Sequence, residues 1–137
     1  DGDLEEAEGV PEGAKRLHAQ MEAADGILIS TPEYNAALPG VLKNALDWVS
    51  RLKPMPMGGT PLAILSAAAG GAGGIRSQMT LRHCLVAFRP RIVPGPEVIL
   101  PASGSAFDAE GRLTNERALQ NVEALTTALH TEIGRTN

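Results

Sequence analysis

Gly26-Ile27-Leu28-Ile29-Ser30-Thr31-Pro32-Glu33-Tyr34-Asn35 decides the fold. Ile27 to Ile29 form a short, β-rich apolar run without charge, the pattern of a strand covered on both faces. Pro32 fixes its own φ and biases Thr31 toward an extended conformation, so the strand stops sharply and the next residues swing over the end of the sheet, exposing backbone N–H groups. Pro39 suits the first turn of the following helix, where its missing donor is no loss, and Val41, Leu42, Ala45, Leu46, Val49 and Leu52 make an apolar face. Lys43 and Asp47, four apart, are expected to pair on the solvent side for about 0.2 to 0.5 kcal/mol. Open parallel sheets collect ligands where a strand ends and a helix begins, so the chemistry is expected at Ser30 to Asn35.

Outward from this stretch the chain alternates. Asp1 to Gly9 is acidic and turn-like, and Pro11 opens a helix in which Ala14, Leu17, Met21 and Ala24 recur at three and four. After the Trp48 helix, the Pro/Gly connection Lys53 to Gly59 leads to a second buried strand within Thr60 to Ser66. A helix is expected from Ile75 to Phe88, with Ile75, Met79, Leu81, Leu85, Val86 and Phe88 as its apolar positions. Arg89 to Val93 and Glu97 to Leu100, broken by Pro94-Gly95-Pro96, read as a third strand and its extension, at an edge or a bulge. Thr114 can cap a last helix with Leu119, Val122, Leu125, Leu129 and Ile133 as its buried stripe. The order helix-strand-helix-strand-helix-strand-helix is the later part of a doubly wound α/β domain.

Between the second strand and its helix lies Ser66-Ala67-Ala68-Ala69-Gly70-Gly71-Ala72-Gly73-Gly74-Ile75-Arg76. Glycines at such a turn let N–H groups approach an anion. Arg76, however, stands where a dinucleotide fingerprint requires its third Gly, and no Gly-Lys-Ser/Thr follows for a P-loop. Tight packing of helix on strand accounts for these glycines equally well.

Composition limits the partners. The 137 residues suit one domain, and a net charge of −4 offers no basic field for nucleic acid or an anionic membrane. The one cysteine, Cys84, excludes an internal disulfide framework and suits a reducing cytosol; it reads as a small buried hydrophobe. No apolar run approaches the roughly 18 residues of a spanning helix, and the acidic start is unlike a secretory signal, so a cytoplasmic protein with no membrane contact is expected. The chain begins with Asp1 and not Met, as expected of a processed or trimmed start. His18, His83 and His130 fall on three separate helices without ligand spacing, as surface or packing residues, and no metal is expected.

Pro32-Glu33-Tyr34-Asn35, then Pro39-Gly40-Val41-Leu42-Lys43-Asn44-Ala45, Asp47-Trp48 and Ser50-Arg51, resembles the signature of the NADPH-dependent FMN reductase family, which includes quinone, chromate and azo-dye reductases. The resemblance implies a flavodoxin-like, three-layer, doubly wound parallel sheet. It also implies an oxidoreductase that passes electrons from NADPH or NADH through FMN to a small-molecule acceptor: a quinone, a free flavin, an azo compound or a metal oxyanion. By the same resemblance Pro32, Glu33, Tyr34 and Asn35 lie against the flavin. Ser66, Ala68 and Gly70 fall in the family's second loop, near the pyrimidine end of the ring. Hydride transfer needs alignment more than a protein acid or base, so no catalytic residue is assigned. Helices carrying Trp48 and Leu81 pair subunits in similar proteins, which implies a homodimer or homotetramer.

Family members begin with a strand, a Ser/Arg-containing loop for the FMN phosphate, a helix and a second strand, none of which precedes Asp1. Residues 1–137 are therefore expected to be a partial domain that folds poorly alone, because the absent first strand lies inside the family's sheet. Two other readings remain open at this stage. One is a non-catalytic flavodoxin-like interaction module, a truncated product that survives by association and uses the Trp48 and Leu81 helices for contact. The other is a nucleotide-binding domain that uses Gly70 to Gly74.

Overall fold

The computed structural model describes residues 1–135, arranged as a parallel sheet with helices on both faces. In chain order the elements are α1 (Gly2–Glu8), α2 (Glu12–Ala23), β1 (Ile27–Thr31), α3 (Gly40–Val49), β2 (Pro61–Ala67), α4 (Ile75–Leu85), β3 (Arg91–Ile92), β4 (Val98–Leu100) and α5 (Glu116–Gly134). The acidic start is helical and not a turn. Asp1 accepts the N–H of Leu4 at 3.2 Å as an N-cap, and Glu5 pairs with Arg51 on the far side of α3 at 2.7 Å.

β2 is the centre of the sheet. β1 runs parallel to it from Ile27 opposite Leu62 to Thr31 opposite Ser66. On the other side β3 pairs Arg91 with Pro61, and β4 pairs Val98 with Leu65 and Leu100 with Ala67. β3 and β4 are thus one line interrupted by Pro94-Gly95-Pro96, a strand and its extension.

Alternation along β2 divides the core. Leu62 and Ile64 face one layer, where they meet Leu46 and Val49 of α3, Leu81 and Leu85 of α4, and Phe88. Leu17 and Met21 of α2 pack against the rim of that cluster. Ala63 faces the opposite layer with Val93, Val98, and Leu125 and Leu129 of α5. His18 is buried on α2 and its Nε2 lies 2.7 Å from the carbonyl oxygen of Pro54, so it fastens α2 to the Pro/Gly connection.

Several sequence expectations shift. β1 is not covered on both faces: Ile27 and Ile29 are half-buried, but Leu28 is 44% exposed and Ser30 is exposed. Among the described residues β1 has one neighbour, and Leu28 is not part of the core that α5 covers. Val41 at 77% and Met79 at 64% exposure, together with Val86, point outward from α3 and α4 and not into the core. The last helix is capped by Asn115, whose side chain accepts the N–H of Ala118 at 2.9 Å; Thr114 instead donates to the carbonyl of Ala106. Its stripe also opens at Leu119, which is exposed. Lys43 and Asp47 pair as expected, at 2.6 Å, and the hydrogen bond to Asp47 raises the Lys43 ammonium above its ordinary pKa. Among the described residues no helix is long and apolar enough to cross a membrane.

Candidate active site

Parallel pairing brings the carboxyl ends of β1 and β2 side by side, with Thr31 opposite Ser66. Each strand then leaves the sheet in a loop rich in free donors. In the first loop, Tyr34 and Ala37 exchange both backbone hydrogen bonds, at 3.0 and 3.1 Å, around Asn35 and Ala36, which have φ of 50° and 62°. This is the geometry of a two-residue type I′ turn. Asn tolerates it, whereas left-handed Ala36 costs about 1 to 2 kcal/mol, a strain of the kind concentrated at ligand-holding loops. The turn leaves the N–H groups of Glu33, Asn35 and Ala36 without a protein acceptor among the described residues.

The second loop does the same with glycine. Gly73 donates to the carbonyl of Gly70 at 3.2 Å and Ile75 to that of Ala72 at 3.1 Å, while among the described residues the N–H groups of Ala69, Gly70, Gly71 and Ala72 have no protein acceptor. Together with Glu33 and Arg76, Ala68 to Gly74 line a concavity of about 440 Å³. On the other flank of the first loop, Pro32, Tyr34, Pro39, Val41 and Leu42 line an apolar shelf of about 330 Å³.

Beneath both loops lies a buried polar network. Thr31 Oγ1 donates to the carbonyl of Pro32 at 2.9 Å and shares a hydrogen bond with Ser77 Oγ at 3.0 Å. Ser66 Oγ donates to the carbonyl of Gly73 at 2.7 Å. Gln78 Nε2 in turn donates to Ser66 Oγ and to the carbonyl of Val98, both at 2.9 Å. Thr80 Oγ1 accepts the N–H of Leu38 at 3.0 Å. α4 therefore anchors the loop after β1, the loop after β2, and β4 from one helix face. All of Thr31, Ser66, Ser77 and Gln78 are buried, and no buried side-chain polar atom among the described residues lacks a partner.

The seven residues expected to face a cofactor thus fall into two groups. Pro32, Tyr34 and Asn35 are exposed at the loop, Glu33 lies at the wall shared by the two loops, and Ala68 and Gly70 line the concavity. Ser66 is buried beneath it, with its hydroxyl spent on Gly73 and Gln78. Ser77 and Gln78 escaped the sequence reading, as did the contacts that Thr31 and Arg76 make with Ser77 and Glu33. The spacing of Leu81 and Leu85 does point to the first two: four and three residues back from Leu81, on the same buried face, stand Ser77 and Gln78. Gln78→Leu, which fills the space but leaves the Val98 carbonyl without its side-chain donor and Ser66 with one bond fewer, is expected to cost about 2 kcal/mol of stability, read as a shift of the urea midpoint. An unchanged midpoint would dissolve the network's claim to hold the loops.

An isoalloxazine accumulates negative charge at its pyrimidine end on reduction and is best held by fixed backbone donors with one face left open. Two donor-rich loops at a sheet's carboxyl edge, around an open concavity, fit that group. Among the described residues no cluster of His, Cys, Asp or Glu has the arrangement of a metal site.

Residues 1–104 match the profile of the NADPH-dependent FMN reductase family. The chain is 42% identical over 127 residues to an NAD(P)H-dependent FMN reductase of Pseudomonas aeruginosa, a match that spans 93% of this chain and 69% of that protein. It is 36% identical over 129 residues to a quinone reductase of Escherichia coli, with the same coverage of both. Among solved structures, the flavoenzyme NAD(P)H:(acceptor) oxidoreductase from Paracoccus denitrificans superposes with a TM-score of 0.83 at 29% identity, covering 98% of this chain and 74% of that one.

Proposed function

Because the chain belongs to the NADPH-dependent FMN reductase family, we propose that it is the greater part of an FMN-dependent oxidoreductase that carries electrons from NAD(P)H to a small-molecule acceptor. The observation that carries this reading is the concavity at the sheet's carboxyl edge, lined by Glu33 of the first loop and by Ala68 to Gly74 of the second, where among the described residues the N–H groups of Glu33 and of Ala69 to Ala72 have no protein acceptor. Pro32, Glu33, Tyr34 and Asn35 would hold one side of FMN, and Ala68 and Gly70 the other. Ser66 would serve by fixing the second loop from below. Bound FMN supplies the hydride acceptor and the electron carrier. The chain's own residues bind it, orient it and leave one face open to the nicotinamide, through donors that need neither gain nor lose a proton.

Quinones, free flavins, azo compounds and metal oxyanions are the acceptor classes proposed, with NADPH or NADH as donor. Residues 1–137 would act as one partial domain in the cytoplasm, as a homodimer or homotetramer. The outward-facing Val41, Met79 and Val86 give α3 and α4 an apolar surface suited to pairing subunits.

The test is an FMN titration followed by flavin fluorescence, then NADPH oxidation at 340 nm (a conventional wavelength) with a benzoquinone. Saturable FMN binding and quinone-dependent NADPH oxidation are expected. A chain that binds no FMN and oxidises no NADPH with FMN supplied would instead be an interaction module on the same fold.

A further inference from the structure

Glu33 leaves the loop after β1 and lays its carboxylate across the first turn of α4. Oε2 accepts the backbone N–H of Arg76 at 3.0 Å, and Oε1 accepts Nη1 of the same residue at 3.1 Å. α4 has no side-chain cap of its own, because its N-cap is Gly74. A residue 43 positions earlier therefore does that work. The side chain of Glu33 is 12% exposed, against 58% for Arg76, so solvent competes little for the carboxylate. An ionised carboxylate only accepts hydrogen bonds, and here each oxygen is already held by Arg76. The carboxylate also occupies the positive end of the helix, where a free anion would otherwise be drawn. Both residues line the concavity of about 440 Å³ next to the glycine turn.

We infer that the side chain of Glu33 is a positioning group: through Arg76 it clasps the glycine turn to the Pro32–Asn35 loop, and the carboxylate acts on FMN through that clasp and not by its own contact with the ring. This rests on the flavin reading above. The two loops leave the sheet from neighbouring strands, and among the described residues no backbone hydrogen bond joins them. The clasp, with the network under it, therefore sets their separation.

The experiment compares Glu33→Ala, Glu33→Gln, Arg76→Ala and the Glu33→Ala/Arg76→Ala double variant. One readout is amide hydrogen exchange at Gly73 and Ile75 in the FMN-free chain; the other is FMN affinity by flavin fluorescence. Losing both bonds of a charged group is expected to loosen FMN about tenfold in Glu33→Ala and to speed exchange at both amides. Arg76→Ala keeps the backbone bond and loses about threefold. Glu33→Gln retains an acceptor for the Arg76 N–H and recovers most of the affinity. The double variant is no worse than Glu33→Ala, because the second substitution removes a partner already lost. Losses that multiply in the double variant would place Glu33 on the ring itself and overturn the inference. Exchange that is unmoved by Glu33→Ala would overturn it too. If the unaltered chain binds no FMN, the flavin reading fails, and the exchange measurement alone still decides whether the clasp orders the turn.

Discussion

Gly74→Ala is expected to destabilise the protein by about 3 kcal/mol and to abolish saturable FMN binding at micromolar concentrations, with the first effect read from urea unfolding and the second from flavin fluorescence. Gly74 has φ of +90°, a region that costs an L-residue about 1 to 2 kcal/mol. The added Cβ would also stand 2.6 Å from Cβ and 2.8 Å from Oγ of Ser66. Ser66 cannot step aside, because its hydroxyl is committed to Gly73 and Gln78 and its backbone lies in the centre strand. Overpacking against so fixed a neighbour adds about 1 to 3 kcal/mol. Relief comes only by moving the turn, and with it the N–H groups of Ala69 to Ala72. Gly70→Ala is the control. It meets nothing within 4 Å and its φ is not positive, so its stability is expected to stay within about 0.5 kcal/mol of the unaltered chain. Equal behaviour of the two variants would mean that the turn is soft and the glycine signal carries no geometry.

That contrast bears on what a sequence makes legible. Both glycines belong to one tract, and composition treats them alike; only the approach of Ser66 separates a glycine that must be there from one that happens to be. The strand order was legible because short apolar runs with sharp Pro and Gly boundaries are local features, and β1, β2 and the interrupted β3–β4 line all fall where such runs lie. Helix phase was harder. On α4 the apolar residues Met79 and Val86 suggest a face that the protein leaves exposed, whereas the inward stripe carries Ser77 and Gln78. A buried amide is stable only if its partners are placed by other segments, here β2 and β4, and no periodicity records them. For the same reason Glu33 and Arg76 could not be paired from sequence: 43 residues separate them, and a strand crossing brings them together.

Of the fold expectations that failed, the coverage of β1 leads to the largest functional effect. β1 pairs with β2 along one edge, and among the described residues nothing pairs with the other. On the same side of the sheet Leu28 is exposed, and Ser30, Leu65, Phe107 and Leu119 border an apolar groove of about 390 Å³. A further strand laid along β1, followed by a helix over Leu28, would satisfy the strand edge and fill the groove. In the family that this chain belongs to, the resemblance implies that such a strand leads into the loop that holds the FMN phosphate. A chain extended ahead of Asp1 by a strand, a Ser/Arg loop, a helix and a second strand is therefore expected to bind FMN about a hundredfold more tightly than residues 1–137. Two charge-assisted bonds to a phosphate, at roughly 1.5 kcal/mol each, suffice for that factor. Riboflavin, which has the ring without the phosphate, separates the two contributions. Its affinity should change much less than that of FMN if, as proposed, the loops after β1 and β2 supply the ring's donors. Equal gains for both ligands would mean that the extension acts by stiffening β1 and the loop beyond it. No gain for either would assign the phosphate to donors already in the chain, and the unpaired N–H groups of Gly70, Gly71 and Ala72 would then be its seat.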